Sequence, residues 1–451
     1  MSARYCVVGG GISGLVAAYR LRMIAGPDAS ITLLDPADRL GGVLRTERVG
    51  NQAVDVGAEA FVARRPEVPA LLAELGLAAR QVGTTGVRPL IYSGGRLHPV
   101  PQGTLQGIPA RSSSMTGLVD AATETRIATE PGRPFAWRAG ADPSVADVVG
   151  VRFGDQVVAR SVDPLLAGVY AGSAATIGVR SAVPTLAAEL DGGAPNLTEA
   201  VRRALPPPLT GSVFGAVDGG YRVLIDELVA RANAHWAPVR VDHLEPLGDG
   251  WAVIDDEGAA WEADAVVLAV PAPRLAAIVD ATAPATAAAA RRIPVASSAL
   301  AVVALPGGTP LPGQSGVLAA SGERLHAKAI TLTSRKWGPR GNVELVRLSF
   351  GRFGDNLARN VGDERLLEWA VADLATVFGI RADPVDCHVQ RWIDALPQYG
   401  PGHRDLVAEL RAGLPSTVAV AGGYLDGIGV PACVASGNRA AEQAVTASVG
   451  R

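Results

Sequence analysis

The chain has 451 residues, 48% of them hydrophobic and 19% charged, which is too long for one compact core and too apolar for disorder, so two or three domains are expected. A formal net charge of −3 excludes the electrostatic footprint of a nucleic-acid binder. No apolar run approaches the roughly 18 residues of a membrane span, which leaves membrane contact peripheral at most.

In chain order, residues 4–8 read as a short apolar strand and Gly9 to Gly14 as a glycine turn. Residues 15–23 have helical spacing, with Leu15, Ala18 and Leu21 on one face. Residues 31–34 read as the next parallel strand, ending at Asp35, so a β-α-β unit opens the chain. Residues 66–77 carry a helical period, and 90–101 read as a hairpin turning at Ser93-Gly94-Gly95. From 103 to 200 the pattern is mostly helical, punctuated by Pro131, Pro143, Pro164 and Pro184, and Pro206-Pro207-Pro208 reads as a linker or loop. Residues 214–230 run through Gly219-Gly220 into a helix. Strands are expected at 251–254, 260–262 and 265–270, and again, for a second sheet, at 295–305, 328–334 and 343–350. A well-patterned helix at 365–378 precedes a last strand at 418–421 and a last helix at 428–445, with Pro431 in its first turn, where proline costs least. A β-α-β unit at one end and a strand, glycine loop and helix at the other predict a nucleotide domain built from both ends, with the substrate region inserted between.

Gly9-Gly10-Gly11-Ile12-Ser13-Gly14 fits G-x-G-x-x-G. The first glycine permits the tight turn, the second admits a pyrophosphate, and the third lets helix and strand pack closely. The helix N-terminus then offers unpaired N–H groups and its positive dipole end to phosphate. Asp35 stands about 20 residues on, where a carboxylate binds ribose hydroxyls and disfavours a 2′-phosphate. Arg39-Leu40-Gly41-Gly42-Val43 and Asp55-Val56-Gly57-Ala58-Glu59 follow as two further glycine-centred loops. There is no second strand–G-x-G-x-x-G–helix unit of the kind a nicotinamide donor would need. The three cysteines, Cys6, Cys387 and Cys433, are far apart and fit a reducing compartment, and the six histidines lack metal-ligand spacing. A strand within a few residues of the start leaves no room for a signal peptide, and a cytoplasmic protein is the default. No G-x-S-x-G, C-x-x-C or H-E-x-x-H constellation demands a dedicated acid, base or metal. Of the 41 basic residues only Lys328 and Lys336 are lysines. Nucleotide bias accounts for that, although arginine also suits carboxylates better.

These loops resemble the FAD-binding elements of the amine oxidase and protoporphyrinogen oxidase superfamily. Gly422-Gly423-Tyr424-Leu425-Asp426-Gly427-Ile428-Gly429-Val430-Pro431 resembles the C-terminal signature of protoporphyrinogen and coproporphyrinogen oxidases. Similar echoes are Arg391-Trp392 through Pro397-Gln398-Tyr399 to Gly402-His403, Ser334-Arg335-Lys336-Trp337, Gly107-Ile108-Pro109 and Tyr170-Ala171-Gly172. The likeness spans nearly the whole chain and is greatest to the soluble Gram-positive form. Two positions depart from it: Gly423 stands where many flavin oxidases carry an acid, and Ala432 where an aspartate is common.

The resemblance implies an α/β chain, α+β overall: a Rossmann-like FAD-binding domain with an inserted mixed-sheet substrate domain and a helical region. It places FAD-domain segments at 1–85, 211–280 and 391–451, a substrate hairpin at 86–102, a helical region at 103–210 and a substrate sheet at 281–390. It carries cofactor contacts onto Gly9, Gly10, Gly11, Ile12, Ser13, Gly14, Asp35, Pro36, Arg39, Gly41, Gly42, Val43, Gly57, Ala58, Glu59, Val241, Trp392, Gly422, Ile428, Gly429 and Val430. Arg88 matches the family arginine that anchors a propionate. Arg64, Arg65 and Arg96 are further candidates, and Tyr170 a candidate to line the ring. The implied reaction is six-electron oxidation of a porphyrinogen over three flavin cycles, with three dioxygen reduced to hydrogen peroxide. Coproporphyrinogen III is preferred over protoporphyrinogen IX, and transient contact with ferrochelatase stays open. Two rivals remain: an amine- or carotenoid-type oxidase, with Cys433 as a tempting covalent flavin link, and a flavin-free binding protein of the same fold.

Overall fold

The computed structural model describes residues 3–207, 211–339 and 341–449. Pro208, the end of the expected proline linker, and residue 210, the expected end of the helical region, lie outside the described residues.

Short apolar segments from three parts of the chain form one five-stranded parallel sheet. Its order is His235–Ala237, Ser30–Leu34, Arg4–Val8, Ala265–Leu268 and Val418–Val420. Val7 of the central strand lies between Leu33 and Val267. Such strands are covered on both faces and therefore read as continuous apolar runs rather than alternating ones. Tyr5 and Val7 point to the face covered by the helices Ile12–Ala25 and Val430–Val449, whereas Cys6 and Val8 point to the other. The first and last helices touch closely: a side chain at Gly437 would sit 2.4 Å from the Ser13 carbonyl oxygen. Ser13 Oγ also donates to the Cys433 carbonyl at 3.1 Å.

The second sheet has seven strands, in the order Asp386–Pro397, Val295–Pro306, Val343–Phe350, Ala329–Leu332, Gly316–Ala319, Leu90–Ser93 and Arg96–Pro99. It is mixed, because Gly316–Ala319 and Leu90–Ser93 run parallel while the other pairs are antiparallel. Along Val295–Pro306 the two-residue period divides the side chains. Ala299, Ala301, Val303 and Leu305 pack with the helix Asp363–Phe378, whereas Leu300, Val302 and Ala304 face Val49, Val54 and Val56 of the nucleotide side.

Two expectations are corrected here. The strand expected at 328–334 stops at Leu332, where its pairing to Val346 ends, and Thr333–Trp337 turns into a short helix. The boundary expected at 390/391 falls inside the strand Asp386–Pro397, which pairs with Val295–Pro306 from Asp386 to Pro397, so residues 391–397 belong to the seven-stranded sheet. Mostly half-buried or exposed along its length, that strand shows no apolar run to the eye.

A helical region packs around Phe153, Val149, Leu166, Leu186 and Leu197 and meets the seven-stranded sheet at Ile91. Its buried Glu130 accepts from Arg152 Nε at 2.7 Å, Leu197 N at 2.9 Å and Thr198 Oγ1 at 2.6 Å. Among the described residues, no helix is long and apolar enough to cross a membrane.

Candidate functional site

The parallel sheet changes direction beside its first strand: the chain returns on one side through Ser30–Leu34 and on the other through Ala265–Leu268. Ligands of such sheets bind at the carboxyl ends of the strands, at that switch point. A cleft of about 340 Å³ opens there. It runs from Asp35, Pro36 and Val241, past Gly9, Gly11, Ile12, Ser13, Gly42 and Val43, to Gly422 and Ile428. Eleven of the residues expected to contact a cofactor thus line one continuous surface.

Steric detail explains the glycine spacing. Gly9 has φ +105°, and a Cβ there would lie 2.5 Å from the Ala269 carbonyl oxygen; one on Gly14 would lie 1.8 Å from the Gly9 carbonyl oxygen. Gly11 differs, since its Cβ would meet nothing closer than Gly42 Cα at 4.0 Å. The protein itself does not require glycine at position 11. The empty space over it, at the N-terminus of Ile12–Ala25, suits a diphosphate.

The remaining expected contacts build the walls. Asp35 Oδ2 accepts from Gly10 N–H at 2.6 Å and Oδ1 from Ala37 N–H at 2.9 Å, leaving each oxygen a second lone pair for a ribose hydroxyl. Gly41 N–H donates to the Gly10 carbonyl at 2.8 Å. Arg39 faces its own loop, donating to the carbonyls of Leu40, Leu44 and Gly42 at 3.1, 3.2 and 2.7 Å. Gly57 abuts the Val43 carbonyl, and Trp392 closes over it, donating Nε1–H to the Val56 carbonyl at 2.8 Å. Gly10, Gly14, Arg39, Gly41, Gly57 and Trp392 thus shape the loops that carry the cleft, with Ala58 and Glu59 continuing the Gly57 loop and Gly429 and Val430 continuing the strand-to-helix turn.

Glu59 is turned away into an ion cluster that ties this wall to the seven-stranded sheet. Lys336 Nζ lies 2.6 Å and Arg347 Nη1 2.9 Å from its Oε2, and Arg347 Nη2 donates to the Gly57 carbonyl at 2.9 Å. Burial alone would raise the Glu59 pKa; the two cations outweigh burial and hold it at about 2. Nearby Asp55 goes the other way. Burial pushes its pKa up to about 6 despite hydrogen bonds from Thr46 Oγ1 at 2.6 Å and Tyr221 N at 3.0 Å. A folded-state pKa above the unfolded value means stability that is full below about pH 4 and lost as pH rises through about 6. Asp55→Asn stays neutral and should flatten the fall of the melting temperature between about pH 4 and 7, removing on the order of 2 kcal/mol of pH dependence. An unchanged slope in a thermal melt series would count against that assignment.

At its far end the cleft meets the helical region. Ile428 lines the cleft and packs on the same cluster as Tyr170 and Tyr399. Tyr170 stands edge-on to Tyr399 at 5.6 Å, and the Tyr399 hydroxyl donates to the Gly423 carbonyl.

The expected arginines separate. The strand Phe214–Val217 lies between Phe61–Val62 and Gln81–Gly83, so the loops bearing exposed Arg64 and Arg88 leave opposite sides of one small sheet. Val87, Val213 and Phe214 are exposed beside them. Arg65 instead pairs with Glu67. Arg96 lies on the outermost strand of the seven-stranded sheet, exposed, and does not line the cleft.

Residues 12–445 match the flavin containing amine oxidoreductase family. The chain belongs to that family. It is therefore an oxidoreductase whose cofactor class is a flavin. Coproporphyrinogen III oxidase from Mycobacterium tuberculosis is 65% identical over 443 residues, covering 98% of this chain and 97% of that protein. The protein of that name from Mycobacterium leprae is 61% identical, covering 100% of both. A crystal structure from Exiguobacterium sp. 255-15, provisionally named a protoporphyrinogen oxidase, superposes with a TM-score of 0.88 at 26% identity and covers 100% of both chains. Cyclohexylamine oxidase from Brevibacterium oxydans shares the fold, with a TM-score of 0.72 at 16% identity and 100% and 99% coverage.

Val270, Pro271, Arg240, Arg274, Asp394 and Tyr424 also line the cleft and were not expected there. The first two follow directly after a parallel strand, a position that by itself marks the ligand side of such a sheet. Asp394, with φ +51°, sits on the strand that sequence reading did not resolve.

Proposed function

We propose that this chain is an FAD-dependent coproporphyrinogen III oxidase, removing six electrons from its substrate with dioxygen as acceptor and releasing hydrogen peroxide. The observation that carries this reading is the coincidence of the fingerprint, the Gly41-Gly42 loop and the Gly422–Val430 segment on one cleft, in a chain 65% identical to a protein named coproporphyrinogen III oxidase. Bound FAD would supply the acceptor for hydride lost from a meso carbon of the macrocycle.

This chain's own residues bind and orient. The Gly9–Gly14 turn and helix N-terminus hold the diphosphate, and Asp35 the ribose. The turn Gly422–Val430 and the N-terminus of the last helix would hold the flavin end, where the Val430 and Ala432 N–H groups would favour negative charge and Pro431, lacking an N–H, would contribute none. Tyr170, Tyr399 and Ile428 form an apolar wall that keeps a flat substrate against the ring and water out, so positioning supplies most of the rate. In the same reading the flavin unit combines 1–85, 211–280 and 398–451, and the substrate unit takes 86–102 and 281–397.

Incubating the protein with coproporphyrinogen III and with protoporphyrinogen IX, first anaerobically and then in air, tests this. Porphyrin fluorescence and peroxide should rise together, fastest with coproporphyrinogen III. Faster turnover of protoporphyrinogen IX would change the substrate, and no fluorescence above spontaneous oxidation with either would overturn the activity.

A further inference from the structure

We propose that Arg352, supported by Lys328, forms a carboxylate-binding subsite where the helical region meets the seven-stranded sheet, and that it holds one rim propionate of the porphyrinogen. The inference rests on the function proposed above.

Arg352 follows the strand Val343–Phe350 and is half-buried. Among the described residues its guanidinium donates no hydrogen bond and reaches no carboxylate within 4 Å. Arg152, Arg180, Arg347 and Arg391, also withdrawn from solvent, each have a carboxylate partner. Asp163 and Asp355 lower the cost of burying Arg352 without overcoming it, and each of their oxygens already accepts a hydrogen bond from another group. Asp355 accepts from Arg352 N at 2.7 Å and Leu357 N at 3.1 Å. Asp163 accepts from Ala174 N and Ser321 Oγ, each at 2.7 Å.

Beside it Lys328 is 5% exposed. Its ammonium donates only to neutral oxygens: Ser298 Oγ at 3.0 Å, the Phe350 carbonyl at 3.1 Å and the Gly351 carbonyl at 2.6 Å. Burial first, and then the Arg352 charge, bring its pKa down to about 7. A buried amine beside a half-buried guanidinium, with no anion bound to either, is costly to keep charged, and a carboxylate brought by a ligand relieves it.

The backbone is fixed as a receptor would need. Lys328 grips the two preceding carbonyls, Asp355 the Arg352 N–H, and Phe353 N donates to the Ala171 carbonyl at 2.6 Å. That contact seats the turn against Tyr170-Ala171, part of the apolar wall at the end of the cleft. On its other side Gly351 lies against Ser297, whose Oγ is 3.2 Å from cleft-lining Asp394 Oδ1. The guanidinium is the free part of a rigid turn, and its planar fork matches a carboxylate in two parallel bonds.

Arg352→Met tests the assignment through KM and kcat on coproporphyrinogen III, flavin content, and equilibrium binding of coproporphyrin III and its tetramethyl ester by fluorescence quenching. Expected is a rise of about 10- to 100-fold in KM and in the Kd of the free acid, with kcat, flavin content and ester affinity little changed and Arg352→Lys intermediate. If Arg352→Met does not fold, Arg352→Gln is measured in the same way. Acid binding as tight as the parent's, with the parent active, overturns the subsite alone. A parent inactive on both porphyrinogens overturns subsite and function together.

Discussion

Gly11→Val should yield a folded, colourless protein. Gly11 has extended backbone, φ −71° and ψ 176°, that any residue adopts, and its Cβ direction is open to 4.0 Å. Added methyl groups would therefore occupy the diphosphate cradle without striking the protein. The expected result is loss of at least roughly 100-fold in flavin affinity, or about 2.7 kcal/mol, with the apo-protein's melting temperature nearly that of the stripped parent. Gly14→Val provides the contrast: its Cβ would collide with the Gly9 carbonyl, so it should fail to accumulate as folded protein. Absorbance near the oxidised-flavin bands, read against circular dichroism, separates the two outcomes. A yellow Gly11→Val protein would mean that the diphosphate lies elsewhere.

Glu59→Leu should be among the most destabilising changes outside the apolar cores. It leaves Lys336 and Arg347, at 21% and 8% side-chain exposure, facing each other without their shared anion. Removing one member of a buried ion pair costs about 3–5 kcal/mol. Because the cluster holds Gly57 and hence the Val43 wall, lost stability should come with weakened flavin retention in the protein that remains folded. Adding Lys336→Met should recover part of the loss. The pH dependence has a definite sign: a carboxylate held at about 2 contributes stability fully present above about pH 4.5 and lost as pH falls through about 2. Parent and Glu59→Gln should therefore converge in acid. A loss under about 1 kcal/mol in guanidinium titrations would show that the cluster is solvated and weak.

The nucleotide half was legible because its physics is local. A strand, three glycines and a helix within residues 4–25 state their own geometry, and the Gly422–Val430 segment is equally compact. The sheet order was not legible, since His235–Ala237 is three residues long and carries no period. Strand Asp386–Pro397 was missed because its half-buried, polar residues break the alternation. The arginines show the same limit. Arg65 looked as available as Arg64 until Glu67 was found beside it, and Arg352 looked ordinary until every nearby acid proved to be engaged. Which charges are satisfied depends on how side chains are turned as well as on which residues are near, and a sequence does not display that.

The parallel sheet takes strands from residues 4–8, 30–34, 235–237, 265–268 and 418–420. During translation, the first two strands and their fingerprint leave the ribosome some 380 residues before the segment that completes the flavin end. Contacts of such sequence separation form slowly, and until then the edge of Ala265–Leu268 has no Val418–Val420 beside it. Nascent chains should therefore depend on chaperone shielding and acquire their cofactor late. Flavin supply would then govern how much newly made chain escapes aggregation as well as how much is active.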